Sequence, residues 1–387
     1  MITMILAHTV EVEDPEKALT EVLYQLDLTR SLKKNSVAII HTNNVFMDSG
    51  VVAAICERLP FPVIGINTLL HSSSLGLMDN ILLTVCVLTS SEINFSVALS
   101  EPLNPGNLTQ SITNTYVAAE GLLHNRPKLA IAYTPPLSFS PLGEDLVRII
   151  DDVSDRLPLF GGMAADYSTN LRNPRIIHNG ETFSDRLALL LIEGNITPRF
   201  YCFPVSDKKT IRKKAIVTES AGNVIKKVNG LPVTEYLESL GLAHDGQISG
   251  THTIPLFLDR HDGRPPVVRV IFAQNPEGDI IIGGTAPENT TLGFGSLDVS
   301  DIRESAIRAC GLMRLMSPDF FYLCSCISRN FTLGLNYTTE VETIHGELNN
   351  FLPYVFSYTC GELCPVMRRD GKWHNEFHNM TLITAAF

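Results

Sequence analysis

The chain alternates between short, nearly continuous apolar runs and stretches whose apolar residues return every three or four positions. The first kind, SVAIIHTN at 36–43 and PVIGINT at 62–68, is rich in β-branched residues and predicts strands buried on both faces. The second kind begins at Asp14-Pro15. There the Asp side chain can cap free amides, Pro suits the first helical position, and Leu19, Val22, Leu23 and Leu26 follow on one face. A helical segment over 48–59 then completes a strand–helix–strand unit. ILLTVCVLTS and INFSVALSEP, separated by a few polar residues, predict antiparallel neighbours and hence a mixed sheet. A helix over 108–124, the strand KLAIAYTPP, a helix over 143–157 and the strand LALLLIEG continue the alternation.

The pattern changes after the basic run KKTIRKK at 208–214, which reads as a solvated connector and places a domain boundary between residues 212 and 213. KAIVTESAGNVIKKVNG predicts two strands around Ala221-Gly222-Asn223. VTEYLESLG predicts a short helix closed by Gly241, and VVRVIFAQNPEGDIIIGG a hairpin. A helix over 301–316, capped by Ser300 or Asp301, precedes the strand FYLCSCISR; a helix over 338–349 precedes YVFSYTCGE and MTLITAAF. The expected fold is α+β, with an α/β-like first half and mixed β-sheets packed with helices, in two domains, 1–212 and 213–387. FGGMAAD at 160–166 and IGGTAPE at 282–288 share two glycines, a small residue and an acid, a weak echo that a duplicated corner or chance would produce.

Composition narrows the function. A charge of −11 argues against nucleic acid as the main partner, because phosphate binding needs clustered Lys and Arg. The longest apolar runs, at 81–88 and 187–192, fall far short of the roughly 18 residues of a membrane span. The amino terminus is apolar but lacks a basic flank and a small-residue cleavage site, so it reads as a strand. Eight scattered cysteines suit a reducing compartment. A cytoplasmic protein with no membrane partner is expected.

Four of those cysteines, Cys324, Cys326, Cys360 and Cys364, fall close together, with His374 and His378 following. Neither C-S-C nor C-G-E-L-C has the spacing of a zinc knuckle, so buried thiols are the favoured reading over a metal site. Cys326, with His378 as base and Glu362 or Asn379 as orienter, has the residue types of a thiol triad, but the signatures of cysteine proteases are missing. GxGxxG, GxxxxGK[ST] and G-x-S-x-G are all absent, so no cofactor is implied. What remains is a set of polar residues just beyond apolar strands: Asp166, Cys326, Arg329, Glu362, His378, Asn379 and Thr381. Arg can grip a carboxylate, Glu or Asp can receive an ammonium, and Asn and Thr can fix orientation, which suits an amino acid. The same residues also fit a structural ion pair, Arg329 with Glu362, and a capped turn.

The motifs PVIGINTLLHSSSLG, LPLFGGMAADYS, HNGETFSDRLALLLIEG, ESAGNVIKKVNGLPVTEYL, PEGDIIIGGTAPENTTLGFGSLDVSDIRES, CSCISRNFTLG, YTCGELCPV and FHNMTL occur in that order. Together they resemble the FIST family (F-box and intracellular signal transduction proteins), with both its amino-terminal and carboxy-terminal regions, over 35–387. The resemblance implies a sensory module for small ligands, amino acids among those proposed, whose output comes from a separate signalling protein. It carries over Gly161, Gly162 and Asp166 in the first region. In the second it carries over Cys326, Arg329, Gly361, Glu362, His378, Asn379 and Thr381. Cys360 stands where similar proteins often have an aromatic residue, and Cys364 where they vary. Readings as an enzyme built on Cys326 and as an interaction scaffold stand beside the sensory one.

Overall fold

Three backbone hydrogen bonds of one kind organise the molecule. Ala38 N donates to Pro62 O (3.0 Å), Ala130 N to Pro158 O (2.9 Å) and Phe321 N to Pro353 O (3.0 Å). Each starts a parallel strand pair: Asn35–Thr42 with Val63–Asn67, Leu129–Thr134 with Leu159–Met163, and Phe321–Cys326 with Tyr354–Thr359. The computed structural model describes all residues except 77–80, 138–141, 167–172, 207–209, 211–214, 249–250, 265, 317, 350 and 368–370. The basic run, Thr210 excepted, and the boundary placed within it lie outside the described residues.

Each parallel pair is the centre of a mixed sheet with the same strand order. In the first lobe Thr3–Thr9, Leu83–Ser90, the parallel pair, Ile176–His178 and Glu181–Phe183 lie side by side. The second lobe runs Asn94–Leu99, Ala188–Glu193, its pair, Glu362–Met367 and Trp373–His378. The third runs Arg199–Pro204, Thr381–Ala386, its pair and His71–Ser73. After the second strand of each pair the chain leaves its own sheet and adds a strand to the next one. The exchange closes in a ring: Asn67 N donates to Arg175 O (3.0 Å), Met163 N to Gly361 O (3.0 Å) and Tyr358 N to Leu70 O (3.0 Å).

The alternation of side chains explains why the strands read as continuous apolar runs. Ile39, Ile131 and Tyr322, at equivalent positions, point with His41, Tyr133 and Cys324 toward one or the other side of a shared central core, whereas Ala38, Ala130 and Phe321 face the helix-covered layers. The helices outside are Pro15–Leu26 and Val51–Arg58, Leu108–Glu120 and Leu142–Ser154, and Val299–Arg314 and Thr339–Leu348, two per lobe. At the centre the Tyr322 hydroxyl meets both His41 Nε2 and the Tyr133 hydroxyl, tying the three lobes by hydrogen bonds.

The third lobe carries an insertion between Arg199–Pro204 and Val299–Arg314. Strands Ala215–Ala221, Thr291–Phe294, Pro255–Asp259, Val267–Gln274, Ile280–Ile282 and Val224–Val228 pair in that order, and Ala215–Ala221 also pairs with Val224–Val228, closing a small barrel. Its own core holds Val217, Ile225, Leu256, Ile271 and Phe294. The barrel docks through buried Arg269, whose Nη1 donates to Phe377 O (2.9 Å) and whose Nη2 lies 2.7 Å from Glu144 Oε1.

The class is α+β with mixed sheets, as expected, and the helix capped by Asp14 is where its cap and spacing put it. Three expectations change. The runs at 83–90 and 94–99 belong to different sheets, because each joins the strand that completes its own lobe. The helix at 299–314 is capped by Asp298 in a capping box with Asp301. The glycine echo is no duplicated corner: Gly161 lies in a parallel strand of the second lobe, whereas Gly283 follows a barrel strand.

Candidate functional site

The second strand of each parallel pair carries an equivalent position. Registers align Ile66, Gly162 and Ser357, which face Ile176, Glu362 and His71 on the incoming strands. The local chemistry repeats as well. Thr359 Oγ1 donates to Glu362 Oε1 at 3.0 Å, and Thr68 Oγ1 lies 3.3 Å from His71 Nδ1. The junction between the third and second lobes is therefore the acidic counterpart of a histidine junction, and it contains most of the residues singled out in the sequence.

Glu362 is fully buried, and its Oε2 has no hydrogen-bond partner. Burial raises its carboxyl well above the usual range, against the Thr359 hydrogen bond, a contact with the Cys326 thiol and the nearby Arg329 charge. Cys326 ends strand Phe321–Cys326, and its sulfur is held by the backbone amides of Met380 and Ser328. Burial pushes this thiol up, so it is an inert group rather than a thiolate.

Arg329 lies on the helix Ile327–Leu333 and is fully buried. Its Nε donates to Glu340 Oε1 (3.0 Å) and its Nη2 to Ser305 Oγ (2.7 Å), while Nη1 has no partner. The ion pair is with Glu340, not with Glu362; Ser325 and Tyr358 hydroxyls donate to the other Glu340 oxygen at 3.0 and 2.9 Å. Asn379 donates through Nδ2 to His378 O (2.9 Å), leaving its buried Oδ1 unpartnered against Gly283. Thr381 caps the same turn by donating to Asn379 O (2.8 Å). Asp166 is buried at the end of the second lobe's parallel strand and accepts from Asn173 N at 2.7 Å.

Three glycines let these segments meet. Gly161 has φ +133°, and a side chain there would place Cβ 2.2 Å from Ala132 O; at Gly162 it would lie 2.9 Å from both Gly361 O and the Thr359 side chain. Gly361, φ +106°, gives its place to the Phe377 ring, 2.5 Å from where a Cβ would sit.

His378 sits directly across from Glu362 in the hairpin Glu362–Met367/Trp373–His378, so the two side chains are cross-strand neighbours. Its Nε2 lies 3.1 Å from Cys364 O and 3.7 Å from Cys202 Sγ. His378 and Thr381 line a pocket of about 390 Å³ with Cys202 and Glu376, walled by Phe200, Tyr201, Pro266, Val267, Pro365 and Trp373. The structure thus brings Cys326 and Glu362 together and sets the Asn379 amide beside Gly361, while Arg329, paired with Glu340, acts on Glu362 only through its charge. His378 and Thr381 open on the pocket. Glu340, Cys202 and Glu376 were not singled out from the sequence: Glu340 looked like one more acid on a helix surface, and Cys202 like one of eight dispersed thiols. Among the described residues no group of three or more His, Cys, Asp or Glu side chains is placed to hold a metal ion, and no described helix is long and apolar enough to cross a membrane.

The FIST N domain matches residues 36–231 and the FIST C domain residues 232–365, and the chain belongs to the FIST family. FIST domains are associated with signal transduction and small-ligand sensing. In sequence the two domains follow one another; in space, strands of the carboxy-terminal part complete the second lobe's sheet. No curated protein matches the chain. A solved structure of a cyanuric acid hydrolase aligns over 77% of this chain and 100% of its own at 9% identity and a TM-score of 0.32.

Proposed function

We propose that this protein is a sensor whose ligand, an amino acid, binds at Arg329, Glu362 and Asn379, with His378 and Thr381 at the approach. One observation carries the reading. Each of the first three residues leaves one buried polar atom without a partner: Arg329 Nη1, Glu362 Oε2 and Asn379 Oδ1. An unpaired buried donor or acceptor costs about 1–3 kcal/mol, so each of the three atoms would be stabilised by a complementary group on a ligand. An α-carboxylate can accept from the guanidinium, and an α-ammonium can donate to the carboxylate and the amide oxygen. Cys326 packs against Glu362 and shares a hydrogen bond with it, and Asp166 holds the amide of Asn173.

The ligand's entry to these groups passes the pocket at His378, where segments from both FIST domains meet. Binding there would change how those segments pack, and a separate output protein would read the change. The division between the two domains is placed at 212/213, just ahead of the barrel's first strand at Ala215. A cytoplasmic setting agrees with eight cysteines that are all free thiols. The test is a thermal-shift panel of the common amino acids and small carboxylates. At least one α-amino acid is expected to raise the melting temperature, while its carboxylate analogue lacking the amine does not. A panel in which no amino acid acts, or in which the amine makes no difference, would overturn the assignment.

A further inference from the structure

We propose that Cys202 is a nucleophilic thiol that forms covalent adducts with small α,β-unsaturated carbonyl compounds entering the pocket beside His378. The proposal rests on the reading of that pocket as a ligand site and names a second chemistry for it. Seven of the eight cysteines are buried; Cys202, on strand Arg199–Pro204, is half-buried and lines the pocket. Its Sγ lies 3.7 Å from His378 Nε2, and the Cys364 thiol hydrogen-bonds it from the neighbouring strand.

The charges around it favour a thiolate. The Cys364 hydrogen bond and then the His378 charge pull the Cys202 thiol well below its ordinary value, against burial and Glu376. His378 is shifted the opposite way: burial disfavours its charge, but Cys202 and Glu376 outweigh that. Glu376 is itself held by Arg260 and Arg264 at 3.4 Å and by Arg269 at 3.5 Å, which limits its repulsion of the thiolate. The 3.7 Å approach of Cys202 Sγ to His378 Nε2, with Cys364 O 3.1 Å from the same nitrogen and Pro365 O 3.9 Å from the sulfur, sets the two side chains as a thiolate–imidazolium pair in this proposal, while burial raises the pKa of Cys326 and Cys364.

The pocket selects the electrophile. Its volume of about 390 Å³ and its walls of Phe200, Pro204, Val267, Pro365 and Trp373 suit an organic molecule with an apolar body. In the reaction the sulfur lone pair forms a bond to the β-carbon and the alkene π pair moves to the carbonyl oxygen as an enolate. The His378 imidazolium gives up its proton, which ends on the α-carbon, leaving a neutral imidazole and a thioether. No group leaves and no oxidant is consumed.

The experiment treats the full-length protein with one equivalent of N-ethylmaleimide, an α,β-unsaturated carbonyl, and follows the adduct by intact mass and peptide mapping from pH 6 to 8. The adduct is expected at Cys202, with rates at pH 6 and pH 8 within about threefold of each other, because the thiolate is already formed at pH 6. An ordinary thiol with pKa near 8.5 loses roughly two orders of magnitude over that range. His378→Gln is expected to restore the steep dependence with the adduct still at Cys202. Cys202→Ser, shown to be folded by near-ultraviolet circular dichroism, is expected to take no label. An adduct mapping to another cysteine, or a steep wild-type profile, would overturn the proposal. Labelling reads the thiol, whereas titration with non-electrophilic amino acids reads the ligand site, so either can fail while the other holds.

Discussion

Glu362 accepts a hydrogen bond from Thr359 Oγ1 at 3.0 Å through one carboxyl oxygen, while the other oxygen is buried without a hydrogen bond of ordinary geometry, the Cys326 thiol and the Gly361 amide being the remaining groups that favour its charge. The same Thr-x-x arrangement joins Thr68 to His71 one lobe away, so the fold builds this junction more than once and fills it with opposite chemistry. Both groups resist carrying charge where they sit, and that has measurable consequences.

Burial raises the Glu362 pKa, so the native state keeps a proton that the unfolded chain gives up above about pH 4.5. Native protein then binds more protons than unfolded protein, and stability falls as pH rises from there toward the raised native value. The slope is at most about 1.4 kcal/mol per pH unit for one group. Glu362→Gln, which cannot ionise, is expected to gain stability relative to wild type between pH 5 and pH 8. Urea midpoints at pH 5, 6, 7 and 8 check this; a constant difference would contradict it.

His71 gives the reverse sign. Burial lowers its pKa to about 3, so the unfolded chain takes up a proton below about pH 6.5 that the native protein refuses. Stability is present above pH 6.5 and is lost as pH falls toward 3, again by up to about 1.4 kcal/mol per unit. His71→Asn is expected to flatten the loss between pH 6.5 and pH 4, read as the urea midpoint over that range. An unchanged acid limb would mean His71 is already charged in the folded protein.

Arg329→Ala is expected to destabilise the protein by roughly 3–5 kcal/mol, because it strands Glu340 as an unpaired buried charge. Chemical denaturation reads it directly, and Arg329→Ala combined with Glu340→Leu should recover much of the loss. This result also explains why a binding defect in Arg329→Ala alone says little about the ligand.

Gly161→Ala is expected to cost more than about 1 kcal/mol, since φ +133° is unfavourable for alanine and the new Cβ would meet the Ala132 carbonyl oxygen at 2.2 Å. Gly222→Ala, at a turn with open space and φ +59°, should cost less. Equal melting temperatures for the two variants would show that the strand at Gly161 can shift.

Local signals in the sequence were legible because they act over short distances. Asp14 before Pro15 marked its helix, the β-branched runs marked the buried strands, and Asn275 to Gly278 marked the barrel hairpin. The three-lobed exchange was not legible, because it depends on pairings between segments far apart, such as Glu362 with Gly162. The equivalent positions also hold unlike residues, Ile176, His71 and Glu362, so no repeat shows along the chain. Of the site, the types Arg, Glu and Asn beyond strand ends were readable. What hid Glu340 as the partner of Arg329 was that the two lie on successive helices, Ile327–Leu333 and Thr339–Leu348, whose packing no spacing rule encodes. The split of His378 from Asn379 follows from their neighbouring positions at a strand end, which turn one toward Cys202 and the other toward Gly283.

The central claim is that an amino acid is held by the unpartnered atoms around Glu362. Isothermal titration of the amino acid selected by thermal shift, into wild type and into Glu362→Gln at pH 7, tests it most directly. The account predicts at least a tenfold weaker affinity for Glu362→Gln and proton release on binding to wild type, seen as a dependence of the heat on buffer ionisation enthalpy. Equal affinities with no proton release would contradict it.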